Sequence, residues 1–252
     1  MNQALNRFCP RSGEPVSNDS LTRYRGRTVG FCNPGCRDDF DNGGPRALED
    51  RRYFDVVIRE STGLMPGGRA GKALEAVLPT LDAERLRLRA PREADAEALF
   101  AVFSDPAVTR YWSHPPWTER AQAMELIDDI CRRALDGQLF QWAIADSHDD
   151  QLIGTVTLFF VNRSHRRCEV GFALRHDRWG QGLAREALSR AIRYGESELG
   201  LRRFEADVDP DNAASLGLLK RLGFEEEGRA RARWRVGAGV QDSILLGRVI
   251  DA

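Results

Sequence analysis

"RWGQGLAREA" (residues 178–187) puts two glycines and an alanine within five residues, directly ahead of a helical pattern. A glycine-rich turn between a strand and a helix can cradle an anion. With no side chains in the way, successive N–H groups point into the turn. The helix behind adds unsatisfied donors and the positive end of its dipole. Gly180, Gln181, Gly182, Leu183 and Ala184 stand at that place. Read alone, the stretch is equally a plain strand-to-helix connection. It fits neither GxxxxGK[ST] nor a GxGxxG opening a strand–helix–strand unit. Its neighbours have to decide.

Working outward, "CEVGFAL" (168–174) reads as a strand leading into the turn, and 183–197 as a helix with Ala187, Leu188, Ala191 and Ile192 on one face. "RFEADV" (203–208) is the next strand, and "NAASLGLLKRLGF" (212–224) a helix ended by Gly223. Strands around 225–235 and 242–249 follow, with "GAG" (237–239) as their turn. On the other side, "LFQWAIA" (139–145) and "QLIGTVTLFF" (151–160) are strands joined by "DSHDD". "ERLRLR" (84–89) alternates as a half-buried strand does. Pro91 then opens a helix with Ala94, Ala98, Leu99, Val102 and Phe103 on one face. "TRYWSHPPWT" (109–118) is an aromatic, proline-bearing loop, and Thr118 caps a helix running to about Leu135. A three-strand meander followed by alternating elements predicts an α/β (α+β) fold: a mixed sheet with helices on both faces.

The chain has 252 residues, 42% hydrophobic and 30% charged, with a net charge of -1. That balance argues against a nucleic-acid partner, although only Lys72 and Lys220 among the 37 basic residues are lysines. The arginine excess reads as a compositional bias of the source genome. No apolar run reaches the roughly 18–20 residues of a membrane span, and the first residues lack an apolar signal region. A cytoplasmic location follows as an expectation, with reduced thiols.

The order of elements, "CEVGFALR", "WGQGLA" and "VDPDNAASLGLLKRLGFEEEG" together resemble the GNAT N-acetyltransferases, nearest to the branch that acetylates ribosomal protein N-termini (RimJ/RimL). "ERLRLRAPREADAEALFAVFSDPAVTRYW" and "DSILLGRVI" extend the likeness over roughly residues 82–250. The family's R/Q-x-x-G-x-G/A pattern appears as Trp179-Gly180-Gln181-Gly182-Leu183-Ala184, with Trp179 in place of Arg or Gln. The resemblance implies a mostly antiparallel sheet of about seven strands whose central strands splay apart. Acetyl-CoA enters the split with its pyrophosphate on the turn. The strand at Phe172, Ala173 and Leu174 pairs with the pantetheine arm, and a backbone N–H there holds the thioester oxygen, where the tetrahedral intermediate places negative charge.

Acetyl transfer to an amine needs a neutral amine, a stabilised oxyanion and a proton for the departing thiolate. The resemblance puts Ser215 near the CoA sulfur as proton relay, and Asn212 beside the pantetheine; a first-turn serine bonding only to backbone and a plain N-cap are the bland readings. For the base, Glu169 on the central strand is the candidate, with Asp207 and Asp209 on the next strand as weaker ones. The glutamate that the ribosomal branch carries on its penultimate strand is missing from "RARARWRV". Tyr111, Trp112, His114 and Trp117 lie on the loop that borders the acceptor site in that branch, and they serve equally as caps on the core.

Cys9, Cys32 and Cys36 cluster at one end, while Cys131 and Cys168 stand alone as buried fillers. Thiolates from a hairpin and an adjacent turn can converge on zinc or another soft metal ion. The stretch resembles the small TRASH/YHS-like metal-binding modules in its Cys-x22-Cys-x3-Cys spacing and its Tyr-x-Gly-x-x-x-x-Phe-Cys hairpin. No histidine lies in residues 1–60, so water, Asp39 or another group is left as fourth ligand.

The expected organisation is a cysteine-rich module at 1–60, a Gly-rich linker at 61–81 and a transferase at 82–252. It acts as a monomer or homodimer on a primary amine by direct attack in a ternary complex. Protein N-terminus, antibiotic, polyamine and amino acid all stay open as acceptor. The alternative, of another class, is a non-catalytic acyl-CoA-binding and metal-responsive sensor or adaptor.

Overall fold

The computed structural model describes residues 4, 6, 9–12, 14–25, 27–47, 50–51, 53–54, 77–135, 137, 139–236 and 239–250. The chain divides into two compact units, 1–72 and 73–252. Most of the expected linker lies outside the described residues.

The first unit opens with a hairpin, β1 (Leu21–Tyr24) and β2 (Arg27–Gly30). Helix α1 (Pro34–Asp41) follows; Asn33 caps it by accepting the Cys36 amide at 3.0 Å, and Pro34 takes the first-turn position where a missing N–H costs nothing. Its core is aromatic. Phe54 meets Phe31 and Phe40 edge-on at 5.3 and 5.5 Å, and Tyr24 packs on Phe40.

The second unit runs β3 (Leu81–Asp82), β4 (Leu86–Arg89), a 3-10 turn (Glu93–Asp95), α2 (Ala96–Phe103), α3 (Pro106–Thr109) and α4 (Ala121–Leu135). Then come β5 (Leu139–Asp146), β6 (Leu152–Asn162), β7 (Arg167–Leu174), a second 3-10 turn (His176–Arg178) and α5 (Leu183–Ser197). The chain closes with β8 (Arg203–Val208), α6 (Ala213–Arg221), β9 (Glu225–Val236) and β10 (Gly239–Val249). Among the described residues these strands form one eight-stranded sheet in the order β3-β4-β5-β6-β7-β8-β10-β9. Every neighbouring pair is antiparallel except β7 and β8.

β5 and the first part of β6 are buried on both faces because helices cover both. Ala187, Leu188, Ala191 and Ile192 of α5 pack on one face, and Leu99, Val102 and Phe103 of α2 with Ala123 and Ile127 of α4 on the other. Arg89, 3% exposed, pairs with Asp95 at 2.7 Å and Asp150 at 3.0 Å, tying β4 to the turn before α2 and to the β5–β6 turn. The buried guanidinium is tolerated there because two carboxylates accept hydrogen bonds from it.

Several local expectations shift. The linker was expected to reach residue 81, yet Leu78 and Leu81 are buried core, and the carbonyls of Pro79 and Val77 accept from Trp142 and Tyr194. Ala94 is exposed and Ala96 buried: the first turn is 3-10, which rotates the helical face. Helix α4 starts at Ala121, and the Gln122 side chain accepts the amides of Thr118 and Glu119.

Candidate active site

β7 and β8 pair over three positions only: Arg167 with Arg203, Cys168 with Phe204 and Glu169 with Glu205. Past Glu169 the two strands part. The Arg175 amide donates to the Ile153 carbonyl at 2.8 Å. By alternation, the amides of Ala173 and Gly171 also face β6, while those of Phe172 and Leu174 face the split. The Leu174 carbonyl points the same way, and the Trp179 indole N–H caps it at 2.7 Å.

The turn after β7 has the geometry that its glycines permit. Gly180 and Gly182 sit at φ +73° and +76°, and Gly182 is the N-cap of α5. One residue that the sequence reading missed shapes this turn. Arg85, the residue before β4, donates from Nη1 to the Gln181 carbonyl at 2.9 Å and from Nε to Glu186 at 2.8 Å. The peptide is trans, so holding the Gln181 carbonyl toward Arg85 directs the Gly182 N–H to the opposite side. Arg85 also neutralises Glu186, which would otherwise put a negative charge in the first turn of α5, at the anion-attracting helix end. No local pattern links these residues, which are 96 positions apart.

Toward the other end of the split lies a cleft of about 480 Å³. Tyr111, Trp112, His114 and Trp117 all line it, as do Glu169, Phe172, Asn212 and Ser215. Ala173, Leu174 and the turn Trp179–Ala184 are not among its lining residues; they occupy the carboxyl end of β7 and the connection to α5. Trp112 and Trp117 pack on Phe103 at 5.3 and 4.6 Å, so they cap the α2 core and border the cleft together. Asn212 is the N-cap of α6, its side chain accepting the Ser215 amide at 3.2 Å.

Two carboxylates in this cleft have different surroundings. Glu169 is half-buried. Burial, then the negative charges of Asp207 and Glu205, push its pKa above the ordinary value, against partial opposition from Arg233 and Arg167. Asp207 accepts from Arg233 Nε at 3.1 Å and Trp234 Nε1 at 3.3 Å. Both donors come from β9. A bulge aims them: Ala232 adopts φ +52°, its amide held by Asp242 at 2.9 Å. Asp209 accepts the Asp211 amide at 2.8 Å, a turn-forming role. Burial raises the Cys168 thiol far above its ordinary value, which suits an inert filler.

In the first unit the Sγ atoms of Cys9, Cys32 and Cys36 lie within 4.8 Å of one another. Burial raises the Cys9 thiol, but the amides of Cys32, Arg11 and Ser12 and the Ser12 hydroxyl outweigh it and lower its pKa to about 7. Cys32 Sγ accepts from Ser12 Oγ and Asn33 Nδ2, each at 3.2 Å. Asp39, one candidate fourth ligand, instead pairs with Arg11 at 2.7 Å.

Known proteins share the second unit's architecture. The family description "Acetyltransferase (GNAT) domain" matches residues 85–225. The uncharacterized N-acetyltransferase p20 of Bacillus licheniformis is 38% identical over 154 residues, 61% of this chain and 86% of that protein. The [ribosomal protein uS5]-alanine N-acetyltransferase of Escherichia coli is 34% identical over 110 residues, 43% of this chain and 57% of that one. Among solved structures, a spermidine N-acetyltransferase from Vibrio cholerae in complex with CoA and spermine superposes with a TM-score of 0.59 at 24% identity, covering 66% of this chain and 95% of that one. Among the described residues no helix is long and apolar enough to cross a membrane. With its parted central strands, its glycine turn and a family match over more than half its length, the chain belongs to the GNAT N-acetyltransferases.

Proposed function

We propose that the second unit, taken as the transferase from about residue 82, moves an acetyl group from acetyl-CoA to a primary amine. The observation that carries this reading is the parting of β7 from β8 after Glu169, with a glycine turn at one end and a carboxylate-bearing cleft at the other. The pyrophosphate lies on the amides of Gly180–Ala184, and the pantetheine arm along Phe172–Leu174. A split-facing β7 amide, Phe172 or Leu174, holds the thioester oxygen. Glu169, whose raised pKa suits a base, takes a proton from the ammonium and passes it to solvent. The free amine attacks, forming the C–N bond, and the C–S bond breaks as the intermediate collapses. The second proton shed by nitrogen balances the one that Ser215 passes to the thiolate.

Asp207 is fixed in place by Arg233 and Trp234, which fits an anchor for the incoming ammonium. Spermidine and a protein N-terminal alanine, the acceptors named for the relatives above, both carry such a group. The test is thiol release from acetyl-CoA with spermidine or with a peptide of N-terminal alanine. Release should rise with one of them and fall about 100-fold in kcat for Ser215→Ala. Acetyl-CoA binding with no amine-dependent thiol release would favour the non-catalytic sensor instead.

In the first unit, we propose a TRASH-like module in which Cys9, Cys32 and Cys36 hold zinc or another soft metal ion. Their spacing is compatible with the roughly 3.8 Å separation of thiolates sharing a tetrahedral ion at Zn–S bonds of about 2.3 Å. The amides aimed at Cys9 favour its thiolate. Freshly purified protein should carry about one ion per chain, lost on Cys32→Ser. Metal analysis finding none in the unaltered protein would remove the proposal.

A further inference from the structure

The cleft carries a large apolar side chain that the fold leaves uncovered at a backbone cost. Phe160 of β6 lines the cleft, is 63% exposed and sits at φ +50°. A bulky L-residue in the left-handed region is an outlier, and an apolar ring in water is unfavourable as well. Two costs at one residue, beside a cleft, point to a task that requires them.

The strand register explains where the ring goes. Phe159 pairs with Glu169 and Asn162 with Arg167, so β6 takes three steps where β7 takes two. The extra residue makes a bulge, whose left-handed position ordinarily takes glycine. Neighbouring residues of a regular strand put their side chains on opposite faces. Here the rings of Phe159 and Phe160 lie only 5.1 Å apart. Phe159 shares a face with Glu169, its direct cross-strand partner, and both line the cleft. The bulge thus brings a second ring up to that face, next to the proposed base.

We propose that Phe160 determines acceptor specificity: with Phe159 it forms an aromatic shelf for a flat apolar group that the acceptor carries close to its amine. This rests on the acetyl-transfer reading above. A phenyl ring has no polar atom, so what it recognises is apolar or cationic. The reacting ammonium is a poor occupant. It must lose its proton before attack, and a ring face that favours the cation opposes that step. A carbon substituent a few bonds from the nitrogen carries no such conflict. Burying it on the shelf removes both apolar surfaces from water and leaves the nitrogen to Glu169.

Two alanyl peptides that differ only at residue 2, phenylalanine or serine, test this, with spermidine as a third acceptor. The unaltered protein should favour the phenylalanine peptide about tenfold in kcat/KM, mostly through KM. Phe160→Gly should bring the two peptides to about the same kcat/KM and leave the acetyl-CoA KM within about twofold. Phe160→Tyr, which keeps the ring, should keep the preference. The Tm of Phe160→Gly should hold or rise, because glycine relieves the left-handed backbone. A preference below about threefold in the unaltered protein, or one that survives in Phe160→Gly, overturns the inference. So does a lower Tm in Phe160→Gly with equal losses toward both peptides, which marks a structural ring. Turnover of spermidine alone, which has no flat apolar group, overturns it too. Thiol release with none of the three acceptors brings down the acetyl-transfer reading, and the inference with it.

Discussion

Replacing Gly180 and Gly182 together by valine is expected to weaken acetyl-CoA binding by about 100-fold or more, with Tm changed by only a few degrees. Both residues sit at φ above +70°. An L-residue there costs about 1–2 kcal/mol, and a β-branched one more. Two such positions together approach the roughly 2.7 kcal/mol that a 100-fold loss represents. The fold itself has little reason to suffer. A Cβ at Gly180 meets nothing within 4 Å, and at Gly182 the nearest atom is an Arg85 nitrogen at 3.6 Å. The cost falls on the turn, which either stays strained or relaxes and turns its amides away from the anion. Calorimetry with acetyl-CoA reads it directly. Binding within tenfold of the unaltered protein would remove the pyrophosphate from this turn.

The second large effect belongs to Glu169. Glu169→Gln keeps the side-chain shape and removes the proposed base, so kcat/KM should fall about 100-fold while acetyl-CoA affinity holds. The pH behaviour separates this from general damage. Glu169 has a pKa raised above 4.5 by burial and by Asp207 and Glu205. The base works only when ionised, so the acid limb of kcat/KM should lie above the ordinary glutamate range and vanish in the variant. The stability sign runs the other way from a usual carboxylate. With the folded pKa raised, the folded state binds the proton more tightly than the unfolded state. Stability is therefore lost as pH rises from 4.5 through the folded value. Glu169→Gln should accordingly melt higher than the unaltered protein at pH 7, and the gain should disappear below pH 4.5. A variant that melts lower at pH 7, or a pH profile unchanged by the substitution, would place the base elsewhere.

The helices and strands around the turn were legible because their periodicity is strong and their contacts repeat locally. Leu86 and Leu88 alternate into the core, and Ala187, Leu188, Ala191 and Ile192 recur at helical spacing. β3 was missed because two residues carry no period. Ala94 was misplaced because a 3-10 turn changes the count by a fraction of a residue. The bulge that brings Arg233 and Trp234 to Asp207 was not legible, since it depends on an Asp242 ten residues away accepting the Ala232 amide.

By itself, the sequence determined that "RWGQGLAREA" is a turn built on two glycines, lying between a strand and an amphipathic helix. Backbone conformation and periodicity are local properties, written in consecutive residues. Only the tertiary structure decided what surrounds that turn and the cleft beyond it. Arg85 reaches the turn from 96 residues upstream, and β7 leaves β8 after three pairs. Glu169 and Asp207 come from strands that are neighbours in the sheet and far apart in the chain. Charge and hydrogen bonding act through space at a few ångströms, and strand order sets those distances.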